Sequence, residues 1–502
     1  MQRLNPIKFW PPIILLIATV VYSLIDKVGF LEMANIANAW VLENFSWLFS
    51  WSVLGFVLLI AAIYFSPFGK IVLGGSSAVS LLSKWKWFSI TLCTTIATGI
   101  LFWGTAEPLF HFNNPPASLG IEPAGSAAKI FSMSTMLLHW TISPYAIYTL
   151  AALTFSYCFY NLKQPFEVSS TLFPLIGNKS KGYVGHFVDI ICLYGLVAGM
   201  AAALGAGILT IAGGLNTSFG IAQNSFILGL IAVAIVTAFV ASASSGLLKG
   251  IRILSDYNMK AFILLALFFL IFGPTSFIIK TSITSLGSFV TNFFPRSINW
   301  NDTFDQGWFQ SWTIFNWANW LAWTPITALF LGRLGQGYSV RTFIRMNLLY
   351  PSIFGAVWMS IFSGSSIFYD IESKGKLFKS LGDIGPESVI YQIFSELPMS
   401  EVTGGFFLII TFISYVTAAD SNTSAMSNLC TKGISTENQE SPLFIQIIWG
   451  SIIGILAWVM ISYAGIDGIK MISVLGGFPA LFLVILIAFG AVKLLLSERK
   501  HS

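Results

Sequence analysis

Two short stretches of this sequence carry aromatic rings at helical spacing. The first reads His139-Trp140-Thr-Ile-Ser-Pro144-Tyr145-Ala-Ile-Tyr148. At about 100° per residue, Trp140, Tyr145 and Tyr148 fall within an arc of about 140°. The second reads Trp312-Thr-Ile-Phe-Asn-Trp317-Ala-Asn-Trp320-Leu-Ala-Trp323-Thr-Pro325. Trp317, Trp320 and Trp323 recur every three residues as one slowly drifting stripe. Such a stripe also fits lipid-facing or packed bulk. A cage of ring faces, however, attracts a cation, by about 2 kcal/mol or more when the site is dry. A trimethylammonium group suits such a cage, because it has no hydrogen-bond donors to satisfy.

The elements that must hold these rings lie in lipid. Of 502 residues, 55% are hydrophobic and only 9% are charged. Soluble domains carry roughly 25% charged residues. We read an all-α polytopic membrane protein of one domain, with twelve spans of about 20 residues each. They are placed at Pro11–Ile25, Phe45–Phe65, Trp87–Trp103, Phe131–Phe159, Phe187–Ala212 and Phe226–Ala243, then Ala261–Ile279, Trp312–Leu331, Leu348–Phe368, Gly404–Cys430, Pro442–Ile461 and Ile472–Leu496. The first has no small-residue cleavage site and reads as a retained span rather than a signal peptide. Ser285–Phe294 reads as an amphipathic helix on the membrane surface. The third span combines Gly99 and Gly104 with Thr94, Thr95 and Thr98, a composition that predicts an unwound segment. Glycines at 195, 199, 205, 207, 213 and 214 in the fifth span fit either close helix contact or a local break.

Lysines and arginines favour alternate loops: Arg3 and Lys8, then Lys70 to Lys86, Lys163 to Lys181, Lys249 to Lys260, Arg333 to Arg345, and Arg499 with Lys500. The opposite set is neutral or acidic, and Asp370–Glu401 holds six acids against three lysines. Both termini are therefore expected in the cytoplasm. The net charge of +5 follows from this bias and gives no basic patch for nucleic acid. Cys93, Cys158, Cys192 and Cys430 all fall in or at the edge of spans and read as small apolar filler. Glu107 and Asp189 read as caps or loop anchors, whereas Asp420 fits gating, helix breaking or an interhelical hydrogen bond. His111, His139, His186 and His501 show no pair at metal-ligand spacing, and no nucleophile motif or phosphate loop is present. The chain is not expected to be an enzyme or an ATP-driven pump, and no cofactor is expected.

These residues resemble the betaine/carnitine/choline transporter family over nearly the whole chain. The strongest matches are Phe102-Trp-Gly-Thr-Ala-Glu-Pro108, His139–Tyr148, Gly246-Leu-Leu-Lys-Gly-Ile-Arg252, Trp312–Pro325 and Val416-Thr-Ala-Ala-Asp-Ser421. The resemblance implies a LeuT-like fold of two inverted five-helix repeats, approximately 87–280 and 310–496, preceded by two extra helices. It implies alternating access, and a homotrimer as a common assembly. The family's aromatic box falls on Trp140, Tyr145, Tyr148 and Trp320, and Trp323 corresponds to the tryptophan lining the inward path. Tyr145 and Asn319 each stand where well-known members carry tryptophan.

Of the family's third-span glycine motif, only Gly99 remains, in Thr95-Ile-Ala97-Thr98-Gly99. Proton-coupled choline carriers tend to have aspartate at that last position. Gly99 therefore favours a zwitterion such as glycine betaine or carnitine over choline. For coupling, the resemblance places one possible sodium site at Ala97, Thr98 and Thr417. Leu196 and Met200 stand where sodium-coupled members have threonines, and Asn258 stands where exchangers have an arginine. Symport and exchange both stay open. The alternatives are a choline transporter, or an onium-sensing or channel-like protein of the same fold.

Overall fold

The computed structural model describes residues 4–95, 97–244, 247–434 and 441–498. Arg3, Gly246, Arg499 and Lys500 lie outside them, as do the side chains of Ala97, Lys249 and Arg252. The described residues are almost entirely helical, and their only β-type pairings are two isolated bridges. Nine helices among them are long and apolar enough to cross a membrane, or ten if one bent pair is a single span.

The ten differ from the expected twelve at two places, each with a physical reason. The final helix, Leu443–Glu498, runs for 56 residues, nearly three membrane thicknesses at about 1.5 Å per residue. It turns at Gly465, whose φ of 55° is a left-handed value that glycine adopts without strain. It thus contains the two apolar stretches read as the last two spans. The eighth expected span, Trp312–Leu331, falls largely on the helix Phe315–Leu334, which is rich in Trp, Asn and Thr, so it lacks the hydropathy of a lipid-facing helix, and nearly all of it is buried by protein. Several boundaries are corrected. The helix of the second span begins at Lys27, not Phe45, and that of the third continues to Asn113, not Trp103. The seventh span ends at Phe272, not Ile279, because Gly273-Pro274 stops it. A separate helix, Thr275–Ile298, then extends the amphipathic segment expected at Ser285–Phe294 in both directions.

We number the helices that hold the site in chain order. Helix α1 is Lys84–Thr95, α2 is Ala97–Asn113, α3 is Ser126–Trp140, α4 is Ile142–Tyr160 and α5 is Tyr183–Phe219. Helix α6 is Phe315–Leu334, α7 is Tyr350–Glu372, α8 is Ser388–Ser395, α9 is Ser400–Leu429 and α10 is Leu443–Glu498. Helices α1 and α2 meet at a bend of 57° in the span where the composition predicts an unwound segment, and Gly99 and Gly104 themselves are helical in α2. In α2, Pro108 has no N–H for the carbonyl of Gly104, four residues earlier. The Ser363 hydroxyl of α7 donates to that carbonyl at 2.9 Å, and Ser366 donates to the next one, Thr105, at 2.6 Å. In lipid no water could do this, so the neighbouring helix must.

The glycines of α5 serve close contact, since the helix is continuous through them. A Cβ on Gly199 would stand 3.2 Å from Cδ1 of Trp323, and one on Gly207 would press into the Tyr415 ring at 2.6 Å. At Gly213 it would meet Glu387 Cγ at 2.7 Å. Small residues thus let α6, α9 and the loop helix α8 approach the α5 backbone. The four cysteines are buried and unpaired, as expected of filler.

Asp189 is not a simple cap. It is fully buried and pairs with Lys8 at 2.7 Å, while Lys8 reaches Glu167 at 2.6 Å. Lys8 is itself only 1% exposed, so the ion pair ties the N-terminal helix Pro6–Ile25 to the start of α5. Removing one member of a buried pair leaves an uncompensated charge, at about 3–5 kcal/mol. Lys8→Met should lower the thermal midpoint in detergent by several degrees, and Lys8→Met/Asp189→Leu should recover much of it. Equal midpoints for wild type and Lys8→Met would show that the pair holds nothing.

Glu387 sits at the start of α8 in the segment between α7 and α9, only 5% exposed. Burial pushes its carboxyl up from 4.5 to about 7. The folded chain therefore holds this proton more tightly than the unfolded chain. The stability it contributes is fully present below pH 4.5 and is lost as pH rises to about 7. Thermal midpoints measured across pH 4.5–7.5 should fall through this window. Glu387→Gln should flatten that part of the profile, and an unchanged slope would assign the proton elsewhere.

Candidate functional site

A narrow cavity opens at the bend between α1 and α2. Thr95, Thr98, Gly99 and Trp103 line it from the bent pair, and Trp140 and Tyr148 from α3 and α4. Helix α6 gives Phe315, Asn319, Trp320 and Trp323, while Ala202, Ala203 and Ala206 of α5 form a low wall. Tyr415 of α9 and Ile469 of α10 complete the lining.

The local sequence explains how the rings arrive. Pro144 removes one backbone donor and crowds the Trp140 carbonyl, four residues before it. The helix breaks at Thr141, with φ −126° and ψ −116°, and separates α3 from α4. Trp140 therefore ends one helix while Tyr145 and Tyr148 begin the next. On the other side, a π-helical turn at Gln310–Ile314 precedes α6. Such turns rephase the residues that follow and are frequent at functional sites.

Trp320 is the meeting point of the aromatic groups. Its ring centroid lies 6.1 Å from Trp140, 5.2 Å from Tyr145 and 4.8 Å from Tyr148. The interplanar angles of 66°, 66° and 48° turn ring edges and faces toward one another. Trp320 is 2% exposed, and its indole N–H has no partner among the described residues. That buried donor is unsatisfied as it stands. The expected set of four rings is thus brought together, although Tyr145 packs behind Trp320 rather than lining the cavity itself. Trp323 lines the same cavity as Trp320. Asn319 also lines it and accepts a hydrogen bond from Ser473 at 3.1 Å.

Glu107 has a larger role than a cap. It is 1% exposed, and its Oε2 accepts the indole N–H of Trp140 at 2.8 Å. Its Oε1 lies 2.6 Å from His139 Nδ1 and 3.2 Å from His111 Nε2. The other nitrogen of His139 reaches Thr313 Oγ1, in the π-helical turn, at 3.0 Å. One carboxylate thus links α2, α3 and the approach to α6. The far edge of the Trp140 indole lies on Gly99, where a Cβ would come within 2.5 Å of its ring. The sequence signal for this hub was the four-residue spacing of Glu107 and His111 and the adjacency of His139 to Trp140.

Glu107, His111 and His139 are metal-ligand types, and their donor atoms lie within 4.8 Å of one another. The 2.6 Å separation of Glu107 and His139 is shorter than the roughly 3.3 Å kept by two ligands of a tetrahedral ion. That spacing suits a direct hydrogen bond.

The remaining expected residues occupy separate places. Thr98 lines the cavity, and its carbonyl accepts from Tyr415 Oη at 3.0 Å. Ala97 lies in α2, its side chain outside the described residues. Thr417 donates its hydroxyl to the Ile413 carbonyl at 2.7 Å, within α9. Leu196 and Met200 are buried in α5. Asn258 donates to Ser414 at 2.9 Å. Asp420 does not break α9, which runs unbroken from Ser400 to Leu429. It accepts from Ser242 at 2.7 Å, so of its three readings the interhelical hydrogen bond is the one observed.

Removing the Glu107 carboxylate would strand the Trp140 indole and two imidazoles in a dry interior. Each stranded polar group costs about 1–3 kcal/mol. Glu107→Ala should therefore fold poorly or lose many degrees of thermal midpoint. Glu107→Gln keeps one acceptor and should lose less. A Glu107→Ala protein as stable as wild type would remove the hub from the account.

The chain was compared with known proteins. A family model described as "BCCT, betaine/carnitine/choline family transporter" matches residues 7–500. The glycine betaine transporter OpuD of Bacillus subtilis (strain 168) is 31% identical over 499 residues, covering 98% of this chain and 95% of its own. A glycine betaine transporter of Acinetobacter baylyi is 29% identical over 98% of this chain and 74% of its own. The high-affinity choline transport protein of Escherichia coli (strain K12) is 30% identical over 91% of this chain and 67% of its own. With a family model spanning nearly its full length, and with the bent helix and aromatic cluster described above, the chain belongs to the betaine/carnitine/choline transporter family: it is an integral membrane transporter and not an enzyme.

Proposed function

We propose that this transporter carries a small quaternary-ammonium zwitterion, glycine betaine, carnitine or a related compatible solute, by alternating access. The observation that carries the reading is the aromatic cluster around Trp320. Ring faces hold an onium group that offers no hydrogen bonds. The free indole N–H of Trp320 is a donor for a carboxylate on the same solute. Gly99 supports a zwitterion over a bare cation, since it offers no carboxylate to compensate a cation, and a Cβ there would meet the Trp140 ring at 2.5 Å. The names of the relatives include both glycine betaine and choline transporters.

The finer features of the reading are proposals of the same kind. The chain would comprise two inverted repeats, approximately 87–280 and 310–496, with both termini on the cytoplasmic side of a bacterial inner membrane. It would assemble as a homotrimer. At most one sodium ion would move with the solute, held near Ala97, Thr98 and Thr417. With Leu196, Met200 and Asn258 in place of the groups that complete other ion sites, substrate exchange is the other mode of coupling.

Uptake of labelled glycine betaine, carnitine and choline into proteoliposomes tests this. Saturable uptake or exchange of an onium solute is expected. Trp320→Ala should weaken apparent affinity at least tenfold, the effect of about 1.4 kcal/mol of cation–π contact. Gly99→Ala, which displaces the Trp140 ring, should weaken it as well. The absence of saturable transport of any onium solute would falsify the proposal. Equal affinities in sodium and potassium buffers would remove the sodium site.

A further inference from the structure

Lys470 lies one turn beyond the Gly465 bend of α10, in a second group of rings. Its ammonium stands 3.8 Å from the ring centroid of Trp312, 5.6 Å from Phe315, 5.9 Å from Phe110 and 6.0 Å from Trp103. These rings also contact one another, with Trp103 to Phe315 at 5.6 Å and Phe110 to Trp312 at 5.0 Å. Among the described residues, no carboxylate comes within 4.0 Å of this ammonium. The acids whose charges reach it are Asp467, which is exposed, and Glu107, already bound to two histidines and Trp140.

This group of rings adjoins the cavity. Trp103 and Phe315 line the cavity and also face the ammonium, and Ile469, the residue before Lys470, lines it too. The Gly465 bend marks the external face on the orientation expected from the loop charges. Lys27, at the turn between the first two helices, lies over Tyr463 at 4.5 Å and so belongs to the same face. A solute entering from that side meets a fixed positive charge before it meets the box at Trp320.

We infer that Lys470 is a specificity-determining residue, favouring onium solutes that carry a carboxylate over bare onium cations. The inference rests on the transport reading above and deepens it. The rings of both groups attract any cation, whether choline or the ammonium end of betaine, so they do not discriminate between the two. A fixed ammonium without a close counter-ion does discriminate. It repels a solute of net charge +1 and attracts the carboxylate of a neutral zwitterion. Because it already covers the face of Trp312, it also denies that ring to a second cation. Two unit charges about 10 Å apart at an effective dielectric of about 20 shift an equilibrium roughly tenfold.

The test is competition by unlabelled choline and unlabelled glycine betaine against labelled glycine betaine uptake, in proteoliposomes containing wild type, Lys470→Met, Lys470→Gln and Lys470→Arg. Lys470→Met and Lys470→Gln should shift the ratio of choline to betaine affinity toward choline by about tenfold, while Lys470→Arg keeps the wild-type ratio. Asp467→Asn, on the exposed side of the group, should shift the ratio the opposite way by a smaller factor. A purely structural Lys470 would weaken both solutes in parallel and leave the ratio within about twofold of wild type, and that result overturns the inference. If wild type transports betaine and the ratio does not move, only this inference fails. If wild type transports no onium solute, the transport reading fails and takes the inference with it.

Discussion

Trp140 is held at two points. Its N–H is bound to Glu107 at 2.8 Å, and the opposite edge of its indole rests on the bare backbone of Gly99. Both contacts come from one helix, α2, on either side of Trp103. The rest of the site follows from this grip. With the indole fixed, Trp320 has one wall to stand against, and Tyr145 and Tyr148 close the others. The carboxylate that holds the indole is itself held by two imidazoles, so its desolvation is compensated by charge-assisted hydrogen bonds. Isolated in the same place, it would destabilise the helix that carries it.

Much of this was legible from spacing. The rings of α4 and α6 announced themselves by helical periodicity, although the helix in fact breaks at Thr141, between Trp140 and Tyr145. The bend of α1 and α2 was legible because glycine and threonine crowd one stretch of an otherwise apolar span. What stayed hidden was pairing across long sequence separation. Glu107 and Trp140 are 33 residues apart, and nothing local says that they meet. Lys8 looked like one more cytoplasmic lysine, yet it is buried against Asp189. Lys470 fell just outside a span as drawn, because the bend at Gly465 sets where the last helix begins. The glycines of α5 left two readings open, and only the neighbours of each backbone position decide for close contact.

The polar groups buried among these helices act in two ways. Lys8 with Asp189, and Asp420 with Ser242, join helices to one another and leave the cavity alone. Ser363 and Ser366 attend to carbonyls of α2, one of which Pro108 deprives of its usual donor. The backbone irregularities sit where such partners are at hand. This is the condition lipid imposes on any helix that departs from its own hydrogen-bond ladder.

The two ends of α2 are fastened unequally. Toward its C-terminal half, Glu107 joins three side chains, His111, His139 and Trp140, in a dry interior. At its start, among the described residues, the hydrogen bond that joins it to α9 is one neutral bond, from the Tyr415 hydroxyl to the Thr98 carbonyl. One neutral hydrogen bond is worth about 1 kcal/mol net, little more than thermal energy. Counted by hydrogen bonds alone, that seam would cost less to part than the Glu107 junction. The hold on the Trp140 N–H therefore lies at the more strongly hydrogen-bonded end of α2.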